Sequence, residues 1–179
     1  SERWRPFKLE FQQRALDYVR TLRDNHRYVL TIWPPHCLIG TWGHNVIPVV
    51  SAALRRWEER RRVRIDYHLK GHNPWTEHYS AVQADVPDPD DPSTQINVQL
   101  IQTLEKADQV ALSGQALSHC VANTVRDITD HFGEESVRKL VLIEDTSSPV
   151  PGFEKVAYQF LADMKQRGMK IVQSAEFQG

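Results

Sequence analysis

The chain has 179 residues, with 22 Lys+Arg against 23 Asp+Glu, 8 His, 2 Cys and 40% hydrophobic residues. That length suits one domain able to bury roughly 70% of its unfolded surface, and the balanced charge excludes a strongly basic nucleic-acid-binding protein or an acidic solvating tail. No apolar stretch nears the roughly 20 residues of a membrane span, no basic-then-apolar leader opens the chain, and two cysteines cannot staple a fold of this size; free thiols point to a reducing compartment, so a cytoplasmic location is expected.

Residues 8–25 set Phe11, Ala15, Tyr18, Val19 and Leu22 three or four apart, the stripe of an amphipathic helix. The apolar run YVLTIW (28–33) predicts a strand, stopped by Pro34 and Pro35, which cannot donate to a ladder. A loop with Gly40 and Gly43 leads to a second helical stripe, Val46, Val49, Val50, Ala53, Leu54 and Trp57, with Pro48 near its start. VRIDYHL (63–69) alternates as a strand. The polar, proline-rich stretch 70–94 is long enough for a functional loop. Then follow a helix over 95–106, a strand over 109–114, a helix over 118–131 and a strand over 139–144. A helix over 153–168, closed by Gly168, and a last strand over 169–174 complete the chain. Five strands alternating with helices predict a single α/β domain over 1–179, a parallel sheet with helices on both faces.

Ligands of such sheets bind beyond the carboxyl ends of the strands. The loops that leave those ends hold His36, Cys37 and His44, then Lys70, Glu77 and His78, then His119 and Cys120. Cys120 lies where the helix SHCVANTVRDI begins. Unpaired N–H groups there favour a thiolate and could hold an oxyanion; the position equally suits a small packed thiol. Lys70, at the end of the second predicted strand, could bring an ammonium to that sulfur or simply be solvated. His36, after two prolines, has the fixed backbone of a metal ligand or of a structural histidine, and its spacing to Cys37 and His44 matches no zinc-finger pattern. The six arginines of 55–64, offset by Glu58 and Glu59, read as a solvated helix face rather than a nucleic-acid contact.

Taken together, WPPHCLIGTWGH, LKGHNPWTEHYSA and SGQALSHCVANTVRDI resemble, in that order, the nicotinamidase and isochorismatase-like cysteine hydrolases. The likeness extends through LIEDTSSPV to the GMKIVQS ending, so it covers nearly the whole chain. It implies a six-stranded parallel sheet between helices. It further implies Cys120 as nucleophile, Lys70 as catalytic lysine, an oxyanion hole of the Ala116 and Cys120 N–H groups, a cis Gln115–Ala116 peptide, and His36 as one ligand of a divalent metal, zinc first, with no organic cofactor. Trp42, Trp75, Glu77, His78 and His119 would line the pocket. Gln115 replaces a usual aliphatic residue and hints at a substrate other than nicotinamide.

The resemblance departs at the start. The family's catalytic aspartate ends its first strand, and further metal ligands follow its second. Here Asp17 and Asp24 lie on the first predicted helix. The chain is therefore expected to be the carboxyl-terminal part of the domain, with two strands supplied by a missing amino-terminal segment or a second polypeptide. The function this implies is cleavage of a small-molecule amide through a thioester, in an oligomer, with neither nucleic acid nor membrane as partner. The alternatives are a non-catalytic subunit acting through assembly and a redox-sensitive thiol protein using Cys37 and Cys120.

Overall fold

The computed structural model describes residues 8–25 and 28–177. The chain forms two compact units, Ser1–Arg27 with Leu69–Gly179, and Tyr28–His68. Its strands are β1 (Val110–Leu112), β2 (Leu140–Ile143) and β3 (Lys170–Val172). Its helices are α1 (Gln12–Asp24), α2 (Pro48–Arg61), α3 (Val98–Lys106), α4 (Ala122–His131), α5 (Glu134–Val137) and α6 (Glu154–Gln166), with α2 alone in the second unit.

The sheet of the first unit is parallel, in the order β1-β2-β3, with Val110 opposite Leu140 and Leu142 opposite Ile171. Central β2 buries Leu140, Val141 and Leu142, which is why it reads as one apolar run rather than an alternation. Helices flank the sheet. Val125 and Ile128 of α4, Ile101 of α3 and Ala157, Phe160 and Met164 of α6 join β2 in one core. Gly168 ends α6 at φ +98°, a conformation that glycine adopts without a steric cost. A Cβ there would also stand 3.2 Å from Arg138 Cγ.

Two predicted strands are corrected. Residues 28–33 and 63–69 carry no strand. A strand is defined by the neighbour it bonds, and among the described residues neither segment has a strand beside it. Instead, the Ile65 N–H donates to Glu58 Oε1 on α2 at 2.7 Å. Other boundaries move for local reasons. The helix expected from 95 starts at Val98, because Asn97 caps it by accepting the Leu100 N–H at 3.0 Å. The helix expected from 118 begins as a π turn, Leu117–Val121, and continues as α4.

The proline-rich stretch after Lys70 is a bonded wall. Ala84 N–H donates to Thr94 O at 2.9 Å, Asn97 N–H to Val82 O at 2.7 Å, and Ala81 N–H to Thr124 Oγ1 of α4 at 2.9 Å. Ser80, Val82, Ala84, Asp85 and Thr94 are buried within it. The second unit differs: none of its residues is buried, and Val49, Val50 and Trp57 of the α2 stripe are exposed.

Candidate active site

Adjacent parallel strands release their following loops at the same end of the sheet. The loops after β1 and β2 accordingly meet. Ser147 Oγ donates to Gly114 O at 2.7 Å, Leu117 N–H to Ser148 O at 2.8 Å, and Val150 N–H to Ser118 Oγ at 3.0 Å. The Gln115 amide is committed to the same seam, since its Oε1 accepts from Ser148 N–H at 3.1 Å and Ser148 Oγ at 3.0 Å. The Gln115–Ala116 peptide is cis. The Ala116 carbonyl then accepts the N–H groups of His119 and Val121, on either side of Cys120. Cys120 thus sits in the π turn, a free and partly buried thiol. Such turns interrupt a helix ladder and recur at functional positions.

Lys70 reaches this turn from the other side. Its Nζ donates to His78 O at 2.6 Å and lies 3.8 Å from Cys120 Sγ. Unit charges about 4 Å apart attract by roughly 4 kcal/mol at an effective dielectric of about 20, and by roughly 1 kcal/mol in bulk water. Lys70 is exposed, so the smaller figure is the nearer one. Among the described residues, Lys70 is the sulfur's hydrogen-bond partner.

Two histidines stand beside the pair. His78 accepts the Gly71 N–H on Nδ1 at 3.4 Å. Burial, then the Lys70 charge, push the His78 imidazolium down to about 4, so the ring is neutral at physiological pH. His119 packs edge-on between Tyr79 and Phe153, with centroids 5.2 and 4.7 Å away, and its Nδ1 is 2.8 Å from Ser118 Oγ. Burial lowers its pKa too.

Two further predicted pocket residues of the first unit, Trp75 and Glu77, are held by the wall. Trp75 packs edge-on against Phe11 at 4.7 Å and under the Arg14 guanidinium at 4.2 Å. It lines a cavity of about 430 Å³ between α1 and the 75–89 wall, in which neither Lys70 nor Cys120 takes part. Its stacking surface is therefore engaged away from the thiol. Glu77 N–H donates to Tyr18 Oη at 3.1 Å and its carbonyl accepts Asp85 N–H, so its backbone braces the wall.

His36, Cys37, Trp42 and His44 belong to the second unit. There Trp42 is 90% exposed and His36 Nδ1 lies 2.7 Å from Pro34 O. Among the described residues no group of three or more His, Cys, Asp or Glu could hold a metal ion. His36 alone does not make a metal site. Sequence reasoning missed the seam of Ser147, Ser148 and Gln115; the serine pair in DTSSPV was its visible trace.

By sequence, no protein-family model and no curated protein matches the chain. By structure, the neighbours are nicotinamidases and a pyrazinamidase. The yeast nicotinamidase Pnc1p is 19% identical at a TM-score of 0.52, covering 79% of this chain and 58% of its own. Pnc1p bound to the inhibitor nicotinaldehyde gives 18% and 0.54, with 81% and 60% covered. The pyrazinamidase of Pyrococcus horikoshii in complex with zinc gives 20% and 0.50, with 92% and 85% covered. The chain therefore shares its fold with these structures over the part they have in common. It spans about six tenths of the length of the yeast enzyme.

Proposed function

We propose that the chain bears the nucleophile and lysine of a cysteine amidohydrolase of the nicotinamidase type, acting on the amide of a small molecule. The observation that carries this reading is the Lys70 Nζ to Cys120 Sγ distance of 3.8 Å at the carboxyl edge of a parallel sheet. The Cys120 sulfur bonds the amide carbon, and the carbonyl π pair moves to oxygen, where the Ala116 and Cys120 N–H groups hold it. The C–N bond then breaks, the amine leaves with the thiol's proton, and a thioester remains. Water cleaves the thioester, releasing the acid and restoring the thiol.

The carboxylate that moves those protons would be an aspartate from an amino-terminal segment or a second polypeptide, within an oligomer. A zinc ion on His36 would need its other ligands from the same source, and no step above passes through it. The experiment is ammonia release from an amide panel, nicotinamide and pyrazinamide first, by this chain alone and with the polypeptide encoded upstream. Release that vanishes in Cys120→Ala and falls in Lys70→Met supports the reading. Release unaffected by both substitutions overturns it.

One observation favours a second reading, a non-catalytic subunit acting by assembly. Val29, Ile32, Ile39 and Trp42 are each at least 73% exposed. Large apolar side chains left in water, when contiguous, are a common mark of an interaction surface. The same panel separates the two, since a subunit of that kind releases no ammonia in any combination.

A further inference from the structure

The Gln115 side chain is turned to a use that the hydrolase chemistry above does not mention. Its Oε1 takes two donors from one residue, Ser148 N–H at 3.1 Å and Ser148 Oγ at 3.0 Å, and its Nε2 donates to Thr146 O at 3.4 Å. Ser147 Oγ on Gly114 O and Leu117 N–H on Ser148 O close the seam on both sides of it. Gln115 is thus bonded through its side chain to the loop after β2, while its own peptide leads directly into Ala116. An aliphatic side chain at this place could make none of the three amide bonds. Both lone pairs of Oε1 are in use, so the amide is spent on protein partners.

We propose that Gln115 is a positioning residue: by latching the loop after β1 to Ser148, it holds the Ala116 and Cys120 N–H groups where an oxyanion forms. The proposal rests on the hydrolase reading. Loss of an oxyanion donor costs about 10²–10³ in rate, and a misplacement of about 1 Å can cost about 10². A positioning group needs only to move the donors slightly to be felt.

The test uses the full chain, iodoacetamide and benzaldehyde. Alkylation of Cys120 requires the sulfur but not the oxyanion hole. Addition of the aldehyde joins sulfur to the carbonyl carbon and places the π pair on oxygen, where the thiol's proton ends. The N–H groups of the hole stabilise that oxygen and so tighten the adduct, which shields Cys120 from alkylation. Gln115→Leu should keep the alkylation rate within about twofold while raising the aldehyde concentration needed for protection at least about tenfold. Gln115→Glu keeps an acceptor for both Ser148 donors and should restore protection to within about threefold. Protection by aldehyde that is unchanged in Gln115→Leu overturns the proposal. So does a parallel loss of alkylation and protection, or a Gln115→Glu variant no better than the leucine. A wild-type chain that aldehyde never protects also overturns the proposal, because no oxygen is then held there, while the hydrolase reading is judged separately by ammonia release.

Discussion

At the scale of single residues the site is a contest between two weak preferences. Lys70 is exposed, which screens its charge, yet His78 O fixes its ammonium at 2.6 Å and keeps it 3.8 Å from the sulfur. Lys70→Met takes the ammonium away from the sulfur and should slow iodoacetamide labelling of Cys120 at pH 7 by about fivefold. An equal rate in the two proteins would show that the pair is a coincidence of packing. His78 makes a separate prediction. Its folded pKa, about 4, lies below the ordinary 6.5, because burial and then Lys70 disfavour its cation. The unfolded chain therefore binds the extra proton first. The stability at issue is fully present above pH 6.5 and is lost as pH falls from there through 4. His119, also lowered by burial, acts in the same direction. Urea midpoints measured at pH 7.5 and 4.5 should fall further in the wild type than in His78→Asn, which has no proton to gain there.

At the scale of elements, what the sequence discloses depends on how local the cause is. The buried run of β2, the stripes of α4 and α6 and the Gly168 stop are all written in neighbouring residues, and they stand where periodicity puts them. The segments 28–33 and 63–69 have the local pattern of strands but no ladder, because pairing depends on chain far away in sequence. The same limit hides the seam: Gln115 and Ser148 are 33 positions apart, and the serine pair in DTSSPV does not say which residue it binds. Lys70 and Cys120, 50 positions apart, were legible as a possible pair because both follow predicted strand ends, and the family resemblance sharpened that; the π turn around Cys120 was not legible at all. Two substitutions measure elements separately. Asn97→Ala removes the cap of α3 and should lower stability by about 1 kcal/mol. Phe160→Ala empties a fully buried place in α6 and should cost about 3–5 kcal/mol, read from denaturant midpoints.

At the scale of the whole molecule the two units differ in what holds them. The first has a core of β2, α3, α4 and α6. In the second, Tyr28–His68, no residue is buried. Little apolar burial means low local stability against opening. Trypsin, offered the six arginines of 55–64, should cut the native chain there well before it cuts within 122–172. Mass spectrometry of the first fragments checks this, and early cleavage inside α4 or α6 would contradict it.

The meeting of an accessible primary amine with a sulfhydryl also has a use outside enzymology. Ortho-phthalaldehyde stitches such neighbours into a fluorescent isoindole, consuming one nitrogen and one sulfur. With Lys70 and Cys120 so disposed, the folded chain should light up at one position, and urea should extinguish the yield by parting them. The glow would then report the integrity of the centre with no turnover required.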